Sequence, residues 1–279
     1  MSVAEEANID GYFERIGFSG SIAPSLDTLN QLCALHAAAI PFENLDTLSG
    51  SPIRLELHNL EQKLLFDRRG GFCLEHNLLM AAVLTSLDYE VRLHGARVLW
   101  GHADEEERPL GHLVLTVAVA GGTYLVDVGF GGVTPTAALR LRADAEQATP
   151  HETFRLIDGA PEWRLQVQIG EEWRSVYAFE RIDIDADGIG QMNETASAGG
   201  RLRNNLIATR AEKGRRLALE NLRLTTRAPG QAGEIRQLTS VAELREVLSG
   251  PFGIALPAGE RLEAALQRIV QREQEAGAA

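Results

Sequence analysis

The chain has 279 residues, 44% of them apolar and 24% charged, and its 27 Lys and Arg against 39 Asp and Glu give a net charge of −12. That length calls for roughly two or three compact units, and the acidic balance speaks against general nucleic-acid binding. No apolar run reaches the roughly 18 residues of a membrane span. The opening MSVAEE lacks the basic and apolar regions of a signal peptide, and two cysteines without such a signal read as reduced thiols, so a cytoplasmic protein is expected.

In chain order, residues 26–40 place Leu29, Leu32, Cys33, His36 and Ile40 at three- and four-residue spacing. That predicts a helix capped by Ser25 or Asp27 and stopped by Pro41. Residues 57–66 predict a shorter helix. A third covers 73–87, with Leu74, Leu78, Ala81, Ala82 and Thr85 on one face. Past Asp88 the pattern turns extended, through Val91, Leu93 and 96–100. Two strands follow at 112–120 and 123–128, joined through Gly121-Gly122. Segments 153–158, 162–169 and 172–179 keep the strand-and-turn rhythm, so the middle third predicts an antiparallel sheet or small barrel. Residues 183–200 are polar and glycine-rich and predict a loop. Within it Asp183, Asp185, Asp187, Gly188 and Glu194 have the spacing of a calcium loop. Strands precede them and no helix is expected to follow, so an acidic solvated turn is the preferred reading. The last third mixes strands and helices and closes on a helix at 260–274, with Leu262, Leu266, Ile269 and Val270 as its apolar stripe.

The chemistry concentrates on Arg69-Gly70-Gly71-Phe72-Cys73-Leu74-Glu75-His76-Asn77. Two glycines allow close backbone approach, and the predicted helix begins at the sulfur. A thiol there feels the positive end of the helix dipole and unpaired N–H groups, which favour thiolate. Arg68 and Arg69 add positive charge upstream. A cysteine nucleophile needs a base and a group that orients the base. His112 opens one predicted strand and Asp127 lies near the end of the next. A turn on Gly121-Gly122 puts Asp127 opposite Thr116, on the face His112 shares but about 13 Å along the strand from it. A bulge, a longer turn or a sharp twist has to close that gap, and spacing alone leaves the two as candidates. Residues 201–227 hold eight Arg and Lys against Glu212 and Glu220, either a solvated face or a receiver for an anionic cofactor.

R-G-G-F-C-L-E-H-N (69–77), G-H-L-V-L-T-V (111–117) and Y-L-V-D-V-G-F-G (124–131) resemble the three catalytic blocks of the arylamine N-acetyltransferases, in the same order. I-P-F-E-N-L-D (40–46) resembles that family's N-terminal signature and V-L-S-G-P-F-G-I-A-L-P (247–257) its C-terminal one. The resemblance implies an α+β fold: a helical bundle (1–88), an antiparallel β-barrel (89–195) and an α/β lid (196–279). It implies a cysteine-protease-like arrangement of Cys73, His112 and Asp127. Acetyl-coenzyme A would be the donor, with no metal, and an arylamine or hydrazine the acceptor, by a ping-pong mechanism through an acetyl-cysteine. A homodimer is compatible with it.

The resemblance also implies a bracing pair of Arg69 and Glu43. Val98, Trp100, Gly129, Phe130 and Gly131 would line the coenzyme side of a cleft, and Phe42 and Phe130 the acceptor side. Arg201, Arg203 and Lys213 are the basic residues offered to the coenzyme's phosphates. One block departs: the family's aromatic residue in a Ser-x-Phe element has no counterpart in 195–205. That departure keeps as the alternative an amide synthase of the same family, using another acyl donor in secondary-metabolite biosynthesis. A hydrolase with the same triad and a non-catalytic binding protein rank below both.

Overall fold

The computed structural model describes residues 6–102, 108–198 and 200–278. Helix α1 (Ile9–Ile16) is capped by Asn8 and ends on Gly17 in the left-handed region. In α2 (Leu26–Ala39) the Ser25 hydroxyl accepts from the Thr28 N–H, so Ser25 is the cap. Next come β1 (Phe42–Glu43), α3 (Leu45–Ser49), α4 (Leu57–Glu61), a π-helical turn over Gln62–Phe66, and α5 (Cys73–Ser86). The stripe expected on α5 is corrected. Leu74, Leu79, Met80, Val83 and Leu84 are all buried, while Leu78 and Ala82 are only partly so and Thr85 is exposed. The helix packs on α1, α4 and the barrel strands, and a helix enclosed in this way is apolar nearly all round.

Eight antiparallel strands follow: β2 (Glu90–Val98), β3 (His112–Val119), β4 (Gly122–Val126), β5 (Leu139–Arg140), β6 (Gln147–Ala148), β7 (Thr153–Asp158), β8 (Glu162–Ile169) and β9 (Glu172–Glu180). Their order is β5-β4-β3-β2-β9-β8-β7-β6. The Gln147 amide accepts from the Arg140 N–H and donates to the Arg140 carbonyl, tying the two edge strands, and the sheet is a nearly closed barrel. Val114, Leu125, Phe154, Leu165 and Tyr177 fill its interior. Leu115 and Val117, on the opposite face of β3, join the helical core. Both faces of β3 are therefore buried, and the strand reads as a continuous apolar run after His112.

The hairpin joining β3 and β4 does not turn on Gly121-Gly122. Ala120 and Gly121 are the turn residues, both with positive φ (50° and 68°), and Val119 pairs with Gly122. Thr116 therefore faces Leu125, and the register carries Asp127 opposite Val114 rather than Thr116. The slip of two keeps every side chain on its expected face and halves the offset from His112 to two residues, about 7 Å of strand. Asp127 also lies just past the paired end of β4, free to turn inward.

The expected loop at 183–200 is a helix over most of its length, α6 (Ala186–Ala198). The Asp185 carboxylate accepts from the Gly188 N–H as a cap, so the acidic string opens a helix. Ile189, Met192 and Ala196 pack on the cluster formed by Phe42, Phe72 and Cys73, and this burial overrides the poor helix propensity of Gly188 and Gly190. Past α7 (Arg201–Asn204), strands β10 (Ile207–Glu212), β11 (Arg215–Glu220), β12 (Arg223–Arg227) and β13 (Glu234–Gln237) form a second sheet whose free edge is taken by β1. Helices α8 (Val241–Ser249) and α9 (Glu260–Ala278) cover it, and Leu45 and Leu48 of α3 share its core with Leu219, Leu244, Phe252 and Leu266. Phe42 pairs with Thr209 on one side and bridges to Gly71 on the other, which brings the C-terminal sheet against the nucleophile loop. Among the described residues no helix is long and apolar enough to cross a membrane.

Candidate active site

Cys73 is the first residue of α5, and the loop before it is shaped by its glycines. A Cβ on Gly70 would lie 2.0 Å from the Pro41 carbonyl oxygen, and one on Gly71 would lie 2.8 Å from a Glu75 carboxylate oxygen. That carboxylate accepts from the Phe72 N–H at 3.0 Å, closing the first turn. Arg69 donates to Glu43 at 2.8 Å and to Asp46 at 3.0 Å, and Lys63 lies 2.6 Å from Asp46 and 2.7 Å from Glu75. The Arg69–Glu43 pair implied by the resemblance is present. The positive charge expected near the sulfur is not supplied by Arg69, because these carboxylates claim it, and Arg68 points to solvent.

The other two residues converge on the sulfur. His112 Nε2 lies 2.8 Å from Asp127 Oδ2, both side chains being buried. Asp127 Oδ1 accepts from the Asn77 amide and from the Gly129 N–H, each at 2.9 Å. Asn77 also donates to the Leu113 carbonyl at 2.7 Å and accepts from the Val128 N–H at 3.0 Å. One amide on α5 thus ties the nucleophile helix to β3 and to the end of β4. The imidazole lies edge-on to Phe130 (5.2 Å between centroids, 90°) and against Tyr177 at 5.0 Å.

Burial opposes a charge on His112, but the Asp127 carboxylate beside it, and then the Cys73 thiol, raise its pKa to about 10. Burial pushes Asp127 up in turn, while the charge of His112 and the donors from His112, Asn77 and Gly129 bring it below the usual carboxylate range. With Nε2 committed to Asp127, Nδ1 is the ring nitrogen left for the thiol. The sulfur lies 3.8 Å from the Gly111 carbonyl oxygen, immediately before His112. Both cysteines are free, and burial raises the Cys33 thiol to about 12, an inert core residue.

These residues open into a cavity of about 530 Å³. Cys73, His112, Phe42, Val98, Trp100, Phe130 and Gly131 line it. Gly129 is not among the lining residues: its Cα faces Cys73, where an added Cβ would stand 2.9 Å from the Cys73 carbonyl oxygen. The face of the C-terminal sheet also lines it: Phe42, Thr209, Ala218 and Thr225 are cross-strand neighbours there, with Arg216, Glu220, Arg223 and Arg227 on the same face of β11 and β12, and Arg201 and Leu202 of α7 beside them. Glu152 pairs with both Arg216 and Arg227, and Glu220 with Arg201. Of the three basic residues offered to phosphates, Arg201 lines the cavity. Arg203 instead donates to the Thr47 carbonyl, and neither it nor Lys213 is a lining residue. No cluster of His, Cys, Asp and Glu suited to a metal ion occurs among the described residues.

The barrel and helical bundle bring Cys73 and His112 to one cleft, with Asp127 behind the imidazole, an arrangement suited to nucleophilic cysteine chemistry. A sequence model of the family described as N-acetyltransferase matches residues 25–261. The arylamine N-acetyltransferase of Mycobacterium tuberculosis is 38% identical over 276 residues, covering 95% of this chain and 97% of that protein. The structure of Mycobacterium marinum arylamine N-acetyltransferase superposes with a TM-score of 0.91 at 36% identity, over 94% of this chain and 100% of that one. The same protein solved in complex with CoA gives 0.90 at 36% identity, over 94% and 99% of the two chains. The chain belongs to the arylamine N-acetyltransferase family.

Proposed function

We propose that this enzyme moves an acetyl group from acetyl-coenzyme A to an arylamine or hydrazine, by a ping-pong route through an acetyl-cysteine on Cys73. The observation that carries the reading is the 2.8 Å contact of His112 with Asp127 at the wall of a cavity into which Cys73 also opens. The relative solved with CoA supports coenzyme A as the acyl carrier. On the face of β11 and β12, where Arg216 and Arg227 are held by Glu152, Arg223 supplies a cation suited to its phosphates, and the rings of Phe42, Trp100 and Phe130 supply apolar surface for an aromatic acceptor.

Asp127 accepts a hydrogen bond from the His112 Nε2–H and fixes the imidazole. His112 keeps at Nδ1 the proton Cys73 gives up, forming a thiolate–imidazolium pair. Cys73 attacks the acetyl carbonyl, and first-turn N–H groups of α5, which no helical carbonyl serves, stabilise the oxyanion. His112 returns its proton to the departing coenzyme thiolate. The acceptor amine then attacks the acetyl-cysteine, Nδ1 takes the amine proton, and the Cys73 thiolate is restored as the amide leaves.

Initial rates at varied donor and acceptor should give parallel double-reciprocal lines, and Cys73→Ser should abolish turnover. Intersecting lines, or activity surviving in Cys73→Ser, contradict the reading. Turnover with carrier-bound acyl chains and none with acetyl-, propionyl- or malonyl-coenzyme A would move it to the amide synthase.

A further inference from the structure

Three buried polar side chains that the reaction does not use form one line beneath the nucleophile. The Tyr12 hydroxyl on α1 lies 2.9 Å from His36 Nδ1 on α2, and His36 Nε2 lies 2.8 Å from His76 Nδ1 on α5. His76 Nε2 lies 3.2 Å from the Pro41 carbonyl oxygen. All three side chains are fully enclosed. Burial holds both imidazoles neutral, lowering His76 to about 4 and His36 well below the ordinary range. A neutral imidazole has one N–H, which gives the line a single direction. A carbonyl only accepts, so His76 Nε2 donates to Pro41. His76 Nδ1 then accepts from His36 Nε2, and His36 Nδ1 accepts from the Tyr12 hydroxyl. Every ring nitrogen is engaged and both tautomers are fixed.

The far end of this line bears on the cavity. The Pro41 carbonyl also receives the Gly71 N–H at 3.4 Å, two residues before Cys73. The His76 ring stacks on Phe42, with 6.4 Å between centroids and 7° between planes. Gly131 lies on the Phe42 ring as well, close enough that a Cβ there would come within 3.3 Å of it. Phe42 is therefore held by His76 and Gly131 while it lines the cavity with Cys73. Burying two imidazoles and a phenol is costly where apolar side chains would join the same helices. What the polar line adds is a ring whose plane is fixed at both nitrogens.

We propose that His76 is a positioning residue for the acyl acceptor: held by Pro41 and His36, it sets the plane on which Phe42 rests, and so the cavity wall that an aromatic amine lies against. This rests on Phe42 being acceptor surface, as in the proposed function. It acts on acceptor binding, while acetylation of Cys73 proceeds as before.

The test uses the full chain with acetyl-coenzyme A and a simple aniline, para-toluidine. His76→Phe keeps an aromatic ring but loses the hydrogen bonds to His36 and Pro41; it should raise the acceptor KM about fivefold. Single-turnover acetylation of Cys73 should stay within about twofold. His76→Gln retains a donor and an acceptor and should bring the acceptor KM back to within about twofold of the native value. Tyr12→Phe removes a single oxygen and should shift the acceptor KM in the same direction, so the proposal stays open to refutation even if His76→Phe does not fold. An unchanged acceptor KM in these variants of an active enzyme, with only a lower melting temperature, overturns the positioning role and leaves a structural one. A wild-type protein that acetylates no amine overturns the proposed function, and this inference with it.

Discussion

Asp127 takes three hydrogen bonds, one from His112 on Oδ2 and two on Oδ1, from Asn77 and the Gly129 N–H. Asn77→Ala removes one donor from a buried carboxylate. A hydrogen bond to a charged group contributes about 1.5–3 kcal/mol, so kcat/KM should fall about 10- to 100-fold. A less firmly held Asp127 also raises His112 less, and His112 is the base proposed to take the Cys73 proton. The rate of Cys73 alkylation by iodoacetamide should accordingly shift its pH profile in Asn77→Ala; an unchanged profile would count against this role for Asn77. Cys73, His112 and Asp127 stood out in sequence because each sits in a distinctive block, and the structure places His112 against Asp127 with Cys73 at the same cavity. Asn77 carried a usable signal too, since a residue four positions after Cys73 shares its helix face. Tyr177 carried none. Its place beside His112 depends on the pairing of Val98 with Tyr177 across β2 and β9, which no local pattern encodes.

The His112–Asp127 contact depends on a hairpin register set by two residues at its tip. Gly121-Gly122 is the pair most tolerant of positive φ and so drew the turn in sequence. The chain instead turns on Ala120 and Gly121, at φ 50° and 68°, and since a slip of two leaves each side chain on the same face, the alternation of apolar residues could not distinguish the two registers. Helix α6 was hidden for a similar reason: its glycines speak against a helix, and only the contacts of Met192 and Ile189 with the Cys73 cluster make one. The junction of α5 with the end of β4 can be tested through Gly129. In Gly129→Ala the new Cβ would stand 2.9 Å from the Cys73 carbonyl oxygen and 3.0 Å from its Cα, pushing the nucleophile away from Asp127. Overpacking of this kind costs about 1–3 kcal/mol. Thermal melting should show that loss, and kcat should fall further than the acceptor KM rises. A variant with native kcat would mean that this spacing does not matter.

Across the whole molecule, buried histidines set opposite limbs of a pH–stability curve. His36 and His76 are neutral in the fold but titrate near about 6.5 when unfolded. Their contribution is complete above that value and is lost as pH falls, for His76 toward about 4 and for His36 well below the ordinary imidazole range, at about 1.4 kcal/mol per pH unit for each. His112 runs the other way: its contribution is complete below about 6.5 and is lost as pH rises through about 10. Melting temperature should therefore peak near about pH 6.5, and His76→Gln should make the acid limb shallower. A midpoint that rises on acidification to about pH 5 would contradict this.

The order of bundle, barrel and lid was legible because the family's blocks are spread along the chain. The closing of the C-terminal sheet by β1 was not, since Phe42 and Thr209 are far apart in sequence. What ties these scales together is the proposed transfer of an acetyl group onto Cys73. Mixing the protein with acetyl-coenzyme A alone, digesting it and weighing the peptides should place one acetyl group on Cys73, and adding an aniline should discharge it as the amide. A native protein that leaves Cys73 unmodified while still acetylating the aniline would contradict the account.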